Sequence, residues 1–64
     1  MKLKDLKQGE YFTLKPISEP NGSQVWIRGE YDRSDGMYLC LRWSDMNTWR
    51  YFRGDREVYT DFTF

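Results

Sequence analysis

Turn-forming residues interrupt this chain so often that no stretch remains for a long helix. Gly9, Pro16, Pro20, Asn21-Gly22, Gly29, Asp35-Gly36 and Gly54-Asp55 punctuate it at short intervals. The segments between them carry no helical period of apolar residues. Leu3 and Leu6 share a face over a single turn before Gly9, and that segment is too short to hold as a helix alone. The remaining pattern predicts strands over residues 10–14, 25–33, 37–43, 48–53 and 57–64. Gly29 marks a bend or bulge in the second of them. The segment 15–24, with two prolines and the turn dipeptide Asn21-Gly22, reads as a long loop. Five short strands with one long early loop and tight later hairpins predict an all-β, five-stranded antiparallel barrel, SH3-like, with an OB-like barrel as the alternative.

A chain of 64 residues has room for one domain, residues 1–64. At this size folding buries only about 60% of the surface, so every large side chain matters. Aromatic residues make up 19% of the chain and supply most of the available bulk. The single cysteine, Cys40, rules out an intrachain disulfide framework, and with no histidine there is no ordinary zinc ligand set. No metal and no cofactor are expected. No apolar run reaches the ~20 residues needed to span a bilayer, so no membrane association is expected and a reducing cytoplasm is the expected compartment.

Ten basic residues balance ten acidic ones. That argues against a generic nucleic-acid coat, which relies on a basic excess. The distribution is uneven: Arg42, Arg50, Arg53 and Arg56 cluster late in the chain, whereas Glu30, Asp32 and Asp35 surround Arg33.

Hairpin loop length sets which face each side chain takes. A three-residue Ser34-Asp35-Gly36 loop pairs Tyr31 with Leu39, Gly29 with Leu41 and Ile27 with Trp43. Those residues then point inward, and Arg28, Glu30, Asp32, Tyr38, Cys40 and Arg42 point out. A four-residue loop at residues 44–47 next turns Phe52 inward and Trp49, Tyr51 and Arg53 outward. A turn at residues 54–56 sets Phe52 against Val58, with Thr60, Phe62 and Phe64 on the same face. On this parity Arg50 falls inside and must reach the rim or an acid such as Asp61.

Two-residue turns give the opposite parity. Tyr31, Tyr38, Cys40, Trp49, Tyr51 and Val58 then form the core, and Leu39, Leu41, Trp43 and Phe52 are exposed. Burying a Leu or Phe stabilises by roughly 1.5–3 kcal/mol, which favours the first parity. On the second, Leu39, Leu41 and Trp43 form an alternative patch that a second copy covers, making a homodimer.

Catalytic chemistry is not expected. There is no histidine for proton transfer, Cys40 has no imidazole beside it, and the carboxylates at 30, 32 and 35 miss the spacing of a calcium loop. Arg53-Gly54-Asp55 reads as a turn rather than an adhesive tripeptide, and Ser44, Asp45 and Asn47 as residues that bond their own turn.

The candidate binding residues are Trp26, Arg28, Arg42, Trp49, Tyr51 and Arg53. Interleaved aromatic and arginine side chains suit a protein hot spot. They also suit single-stranded nucleic acid, whose bases stack on rings while arginines follow the backbone. Ordinary cross-strand pairing, with cation–π contact, explains the same pattern without a ligand. A protein partner is expected first, and nucleic acid second.

The segments "LKDLKQGEYFTLK", "VWIRGEYDRS", "YLCLRWSDMN" and "DFTF" resemble short uncharacterised proteins encoded in gut Bacteroides genomes and their phages or mobile elements. The resemblance covers most of the chain and rests on strand-and-turn patterns. It implies a small SH3-like barrel, brings no known activity and assigns no functional residue; small accessory proteins of that kind more often bind a host or viral component than catalyse.

Overall fold

The computed structural model describes residues 1–63, and the expected inward position of Phe64 lies outside the described residues. Four strands form one antiparallel sheet in the order β1-β2-β3-β4: β1 Tyr11–Phe12, β2 Trp26–Asp32, β3 Met37–Arg42 and β4 Asp45–Arg53. The expected class holds, and the sheet is open rather than closed into a five-stranded barrel. The segment expected as a fifth strand does not pair with β4. It crosses to the start of the chain and makes single antiparallel contacts, Glu57 with Lys2 and Tyr59 with Thr13. The Val58 amide donates to the Met1 carbonyl at 2.8 Å, and the Leu3 amide to the Arg56 carbonyl at 3.0 Å.

The core lies on one side of the sheet. Leu3, Phe12, Val25, Cys40 and Val58 are fully buried, and Leu6 and Trp26 nearly so. Leu3 opens a 3-10 turn, Leu3–Asp5, in which positions three apart eclipse, so Leu3 and Leu6 point the same way. That turn and Val58 cap the sheet face that carries Phe12, Trp26, Cys40 and Phe52. Phe52 meets Trp26 edge-to-face at 5.5 Å between ring centres and Phe12 at 6.4 Å. The lysines beside Leu3 and Leu6 are exposed, as solvated ends should be.

The strand faces follow neither expected parity throughout. Asp32 pairs with Met37, so the hairpin loop is Arg33–Gly36, one residue longer than expected. Gly36 takes the left-handed conformation there, with φ +66°, and its amide donates to the Asp32 carbonyl at 2.8 Å. The expected irregularity at Gly29 is present as a register shift between Arg28 and Tyr31. Only glycine fits at its centre, because a Cβ on Gly29 would lie 2.4 Å from the Leu39 carbonyl oxygen. Past this bulge Trp26, Ile27 and Arg28 pair with Arg42, Leu41 and Cys40. Trp26 and Cys40 therefore face the core, and Ile27, Leu39 and Leu41 face away from it.

The second hairpin is also different from the expected four-residue loop. Arg42 pairs with Asp45 across a turn at Trp43 and Ser44, and the register then shifts so that Leu41 pairs with Trp49. Residues 46–48 bulge out between those pairs. Asp45 holds the bulge by accepting from the Asn47 amide at 3.0 Å and the Thr48 hydroxyl at 2.9 Å. Beyond it Tyr38 pairs with Phe52 and Leu39 with Tyr51. β3 thus takes the second expected parity while β4 takes the first, with Phe52 inside and Trp49 and Tyr51 outside.

Candidate functional site

The six candidate binding residues divide between the two faces of the sheet. Trp26, Arg28 and Arg42 belong to the core side. Trp26 is 4% exposed, and the Arg42 guanidinium lies 5.0 Å from the centre of its ring. Arg28 lies 4.3 Å above the Tyr38 ring and donates from Nη1 to the Gly29 carbonyl at 2.8 Å. The Nε atoms of both arginines are buried with no hydrogen-bond partner. These contacts cover the buried ring of Trp26 and the half-buried ring of Tyr38 with aliphatic stems and flat cations, which is a packing role.

Trp49, Tyr51 and Arg53 lie on the other side. Trp49 is 56% exposed and Tyr51 41%, and their rings meet edge-to-face at 5.8 Å. The alternative patch divides as well. Leu39 and Leu41 join this outer face, directly opposite Tyr51 and Trp49. Trp43 sits in the turn at the end of the sheet, where a Cβ on Gly22 would come within 2.9 Å of its ring. Its amide donates to the Val25 carbonyl at 2.9 Å.

The outer face is built in registered rows. Tyr11 pairs with Ile27, Ile27 with Leu41 and Leu41 with Trp49, so one apolar row crosses all four strands. Leu39 and Tyr51 form the next row, and Met37 and Arg53 the third. Directly opposed residues share a face at contact distance, so the rows make one continuous surface. The buried residues Leu3, Leu6 and Val58 lie on the core side, whereas Tyr11, Trp49 and Tyr51 on this face are exposed. Beside the second row, a cleft of about 280 Å³ is lined by Glu30, Tyr31, Asp32, Arg33, Leu39 and Tyr51. Tyr11 and Ile27 were absent from the sequence-based set. The apolar residues at 39 and 41 opposite 49 and 51 signal the face only once the register is known.

The one cysteine of the chain is shielded from reaction. Cys40 is fully buried, and desolvation pushes its thiol up to about 11, against a weaker lowering by the Gly29 backbone and Arg28. A neutral, inaccessible thiol is a poor nucleophile. No cluster of three or more acidic, cysteine or histidine side chains suited to a metal occurs among the described residues. Among the described residues no helix is long and apolar enough to cross a membrane. Arg53-Gly54-Asp55 is a tethered turn: the Lys4 amide donates to the Gly54 carbonyl at 3.0 Å, and the Arg56 amide to that of Arg53 at 3.1 Å. No protein-family model matches the chain, and no curated protein and no solved structure is significantly similar to it.

Proposed function

We propose that this protein is a non-catalytic binding module whose outer sheet face, Tyr11, Ile27, Leu39, Leu41, Trp49 and Tyr51, docks on another protein. The observation that carries this reading is the apolar row from Tyr11 to Trp49, which crosses all four strands and is exposed at both ends. Contiguous apolar surface centred on Trp and Tyr is the composition of a protein interface. Single-stranded nucleic acid is the weaker reading. The arginines that would follow a backbone, Arg28 and Arg42, stack on core rings on the opposite side, which leaves Arg53 beside Trp49 and Tyr51.

The finer reading of the fold is an SH3-like barrel. The Thr13–Tyr59 contact supports it, since β1 turns there from pairing with β2 to pairing with the terminal segment. A free buried cysteine suits a reducing cytoplasm. A small accessory protein of a phage or mobile element suits a chain with one binding face.

The test is a titration followed by NMR. Purified partner, identified by capture on the chain, should shift the amides of residues 39, 41, 49 and 51 and leave Trp26 and Cys40 unmoved. A folded Trp49→Ala, Tyr51→Ala variant should lose the interaction. Short oligonucleotides should cause no shift at low salt. Oligonucleotide shifts that vanish steeply with added salt would instead establish the nucleic-acid reading.

A further inference from the structure

β4 ends the sheet, and among the described residues its only strand partner is β3. The N–H and C=O groups on such an edge form a template for another strand. Folded proteins commonly blunt an edge with a bulge, and here the bulge at residues 46–48 disrupts only the first half of β4. Residues 49–53 pair regularly with residues 37–41, and Trp49, Arg50, Tyr51 and Arg53 are exposed.

We propose that β4 pairs antiparallel with β4 of a second copy about a two-fold axis at Tyr51, joining the two sheets into one. Directly opposed residues in an antiparallel pair share a face, so the axis must pass through a residue and not between two. An axis at Arg50 would oppose two guanidiniums and drive residue 48 of each copy into the pairing. An axis at Phe52 would leave only residues 51–53 to overlap. The axis at Tyr51 spans the whole regular stretch, with backbone pairing centred on Tyr51 because the Arg53 carbonyl already accepts from the Arg56 amide at 3.1 Å. It sets each Trp49 against the Arg53 of the other copy, a cation–aromatic pair formed twice, with Tyr51 against Tyr51 between them. On the core side it sets Arg50 against Phe52. Arg56 already lies 5.7 Å from that ring, so this row contributes less than the outer one. This pairing goes beyond the docking face proposed above and doubles it, bringing both outer faces side by side with Trp49 and Tyr51 at the centre.

Sedimentation equilibrium of the full chain, from micromolar to millimolar concentration, should show the mass rising from 7.8 kDa toward twice that value. Oxidative cross-linking then reads the register, using single cysteines in a Cys40→Ala background. Opposed Cβ atoms lie about 5 Å apart, so Tyr51→Cys should form a disulfide dimer. Trp49→Cys places its two thiols about 13 Å apart along the seam and should cross-link roughly tenfold less. In the unaltered chain, the edge amides of residues 49–53 should gain protection from exchange as concentration rises, a readout independent of any variant. A mass fixed at 7.8 kDa would overturn the proposal. So would cross-linking as strong from Ile27→Cys or Leu41→Cys, which would mean that the copies stack through their outer faces.

Discussion

Tyr38 and Phe52 face each other across β3 and β4 on the core side, although one position further along the same two strands Leu39 and Tyr51 face outward as a pair. Each strand therefore presents large apolar side chains on both faces, and Leu3 and Val58 pack on the face that carries Phe52.

Substitutions on β4 should separate the two faces. Phe52→Ala removes a ring packed on Trp26 and Phe12 and should cost about 2–4 kcal/mol of stability. Trp49→Ala should change stability by about 1 kcal/mol or less, since over half of Trp49 is exposed. Urea unfolding followed by circular dichroism measures both. A larger loss for Trp49 than for Phe52 would reverse the assignment.

Gly29 should tolerate no side chain. A Cβ there meets the Leu39 carbonyl oxygen at 2.4 Å, a backbone atom that cannot swing aside. Gly29→Ala is expected to destabilise by about 2 kcal/mol or more, as overpacking and backbone displacement do. Gly36→Asn should cost less than Gly36→Val, because asparagine enters the left-handed region more readily than a β-branched residue. The urea midpoints of the three variants provide the comparison.

Cys40 should make stability fall at high pH. Its folded pKa, about 11, is raised above the ordinary thiol value of 9.0 because burial disfavours the thiolate. The stabilising contribution is fully present below pH 9 and is lost as pH rises through 11. A shift of this size corresponds to about 2–3 kcal/mol. The difference in stability between the natural chain and Cys40→Ala should shrink or invert across that window. Below pH 9 the natural thiol should react with a thiol reagent far more slowly when folded than in urea.

Arg42 should act through Trp26 and not through a ligand. Arg42→Ala is expected to lose about 1 kcal/mol of stability, part of which Arg42→Lys restores, since lysine keeps the charge but not the flat stacking group. Acrylamide should quench Trp49 and Trp43 readily and Trp26 poorly, and Arg42→Ala should increase the quenching of Trp26. Partner binding at the outer face should be unchanged in both variants.

Strand content and turn positions were legible in the sequence. Gly29, Asp35-Gly36 and Gly54-Asp55 mark irregularities or turns in the structure, and each demands a residue with little side chain or a local hydrogen bond. The period of two also groups Trp49, Tyr51 and Arg53 on one face and Arg50 and Phe52 on the other. This grouping holds in β4 whichever face is buried.

Only the tertiary structure decided which group goes inside. One added residue in the Arg33–Gly36 loop, the bulge at Gly29 and the bulge at residues 46–48 each change the register, and a shift of one residue exchanges the faces. The choice also depends on Leu3 and Val58, which come from opposite ends of the chain and cover the side bearing Trp26, Cys40 and Phe52. Alternation alone says that two faces exist. The long-range contact that buries one of them leaves Trp49 and Tyr51 exposed beside the half-buried Leu39 and Leu41, and places Trp26 in the core with Arg42 stacked on its ring.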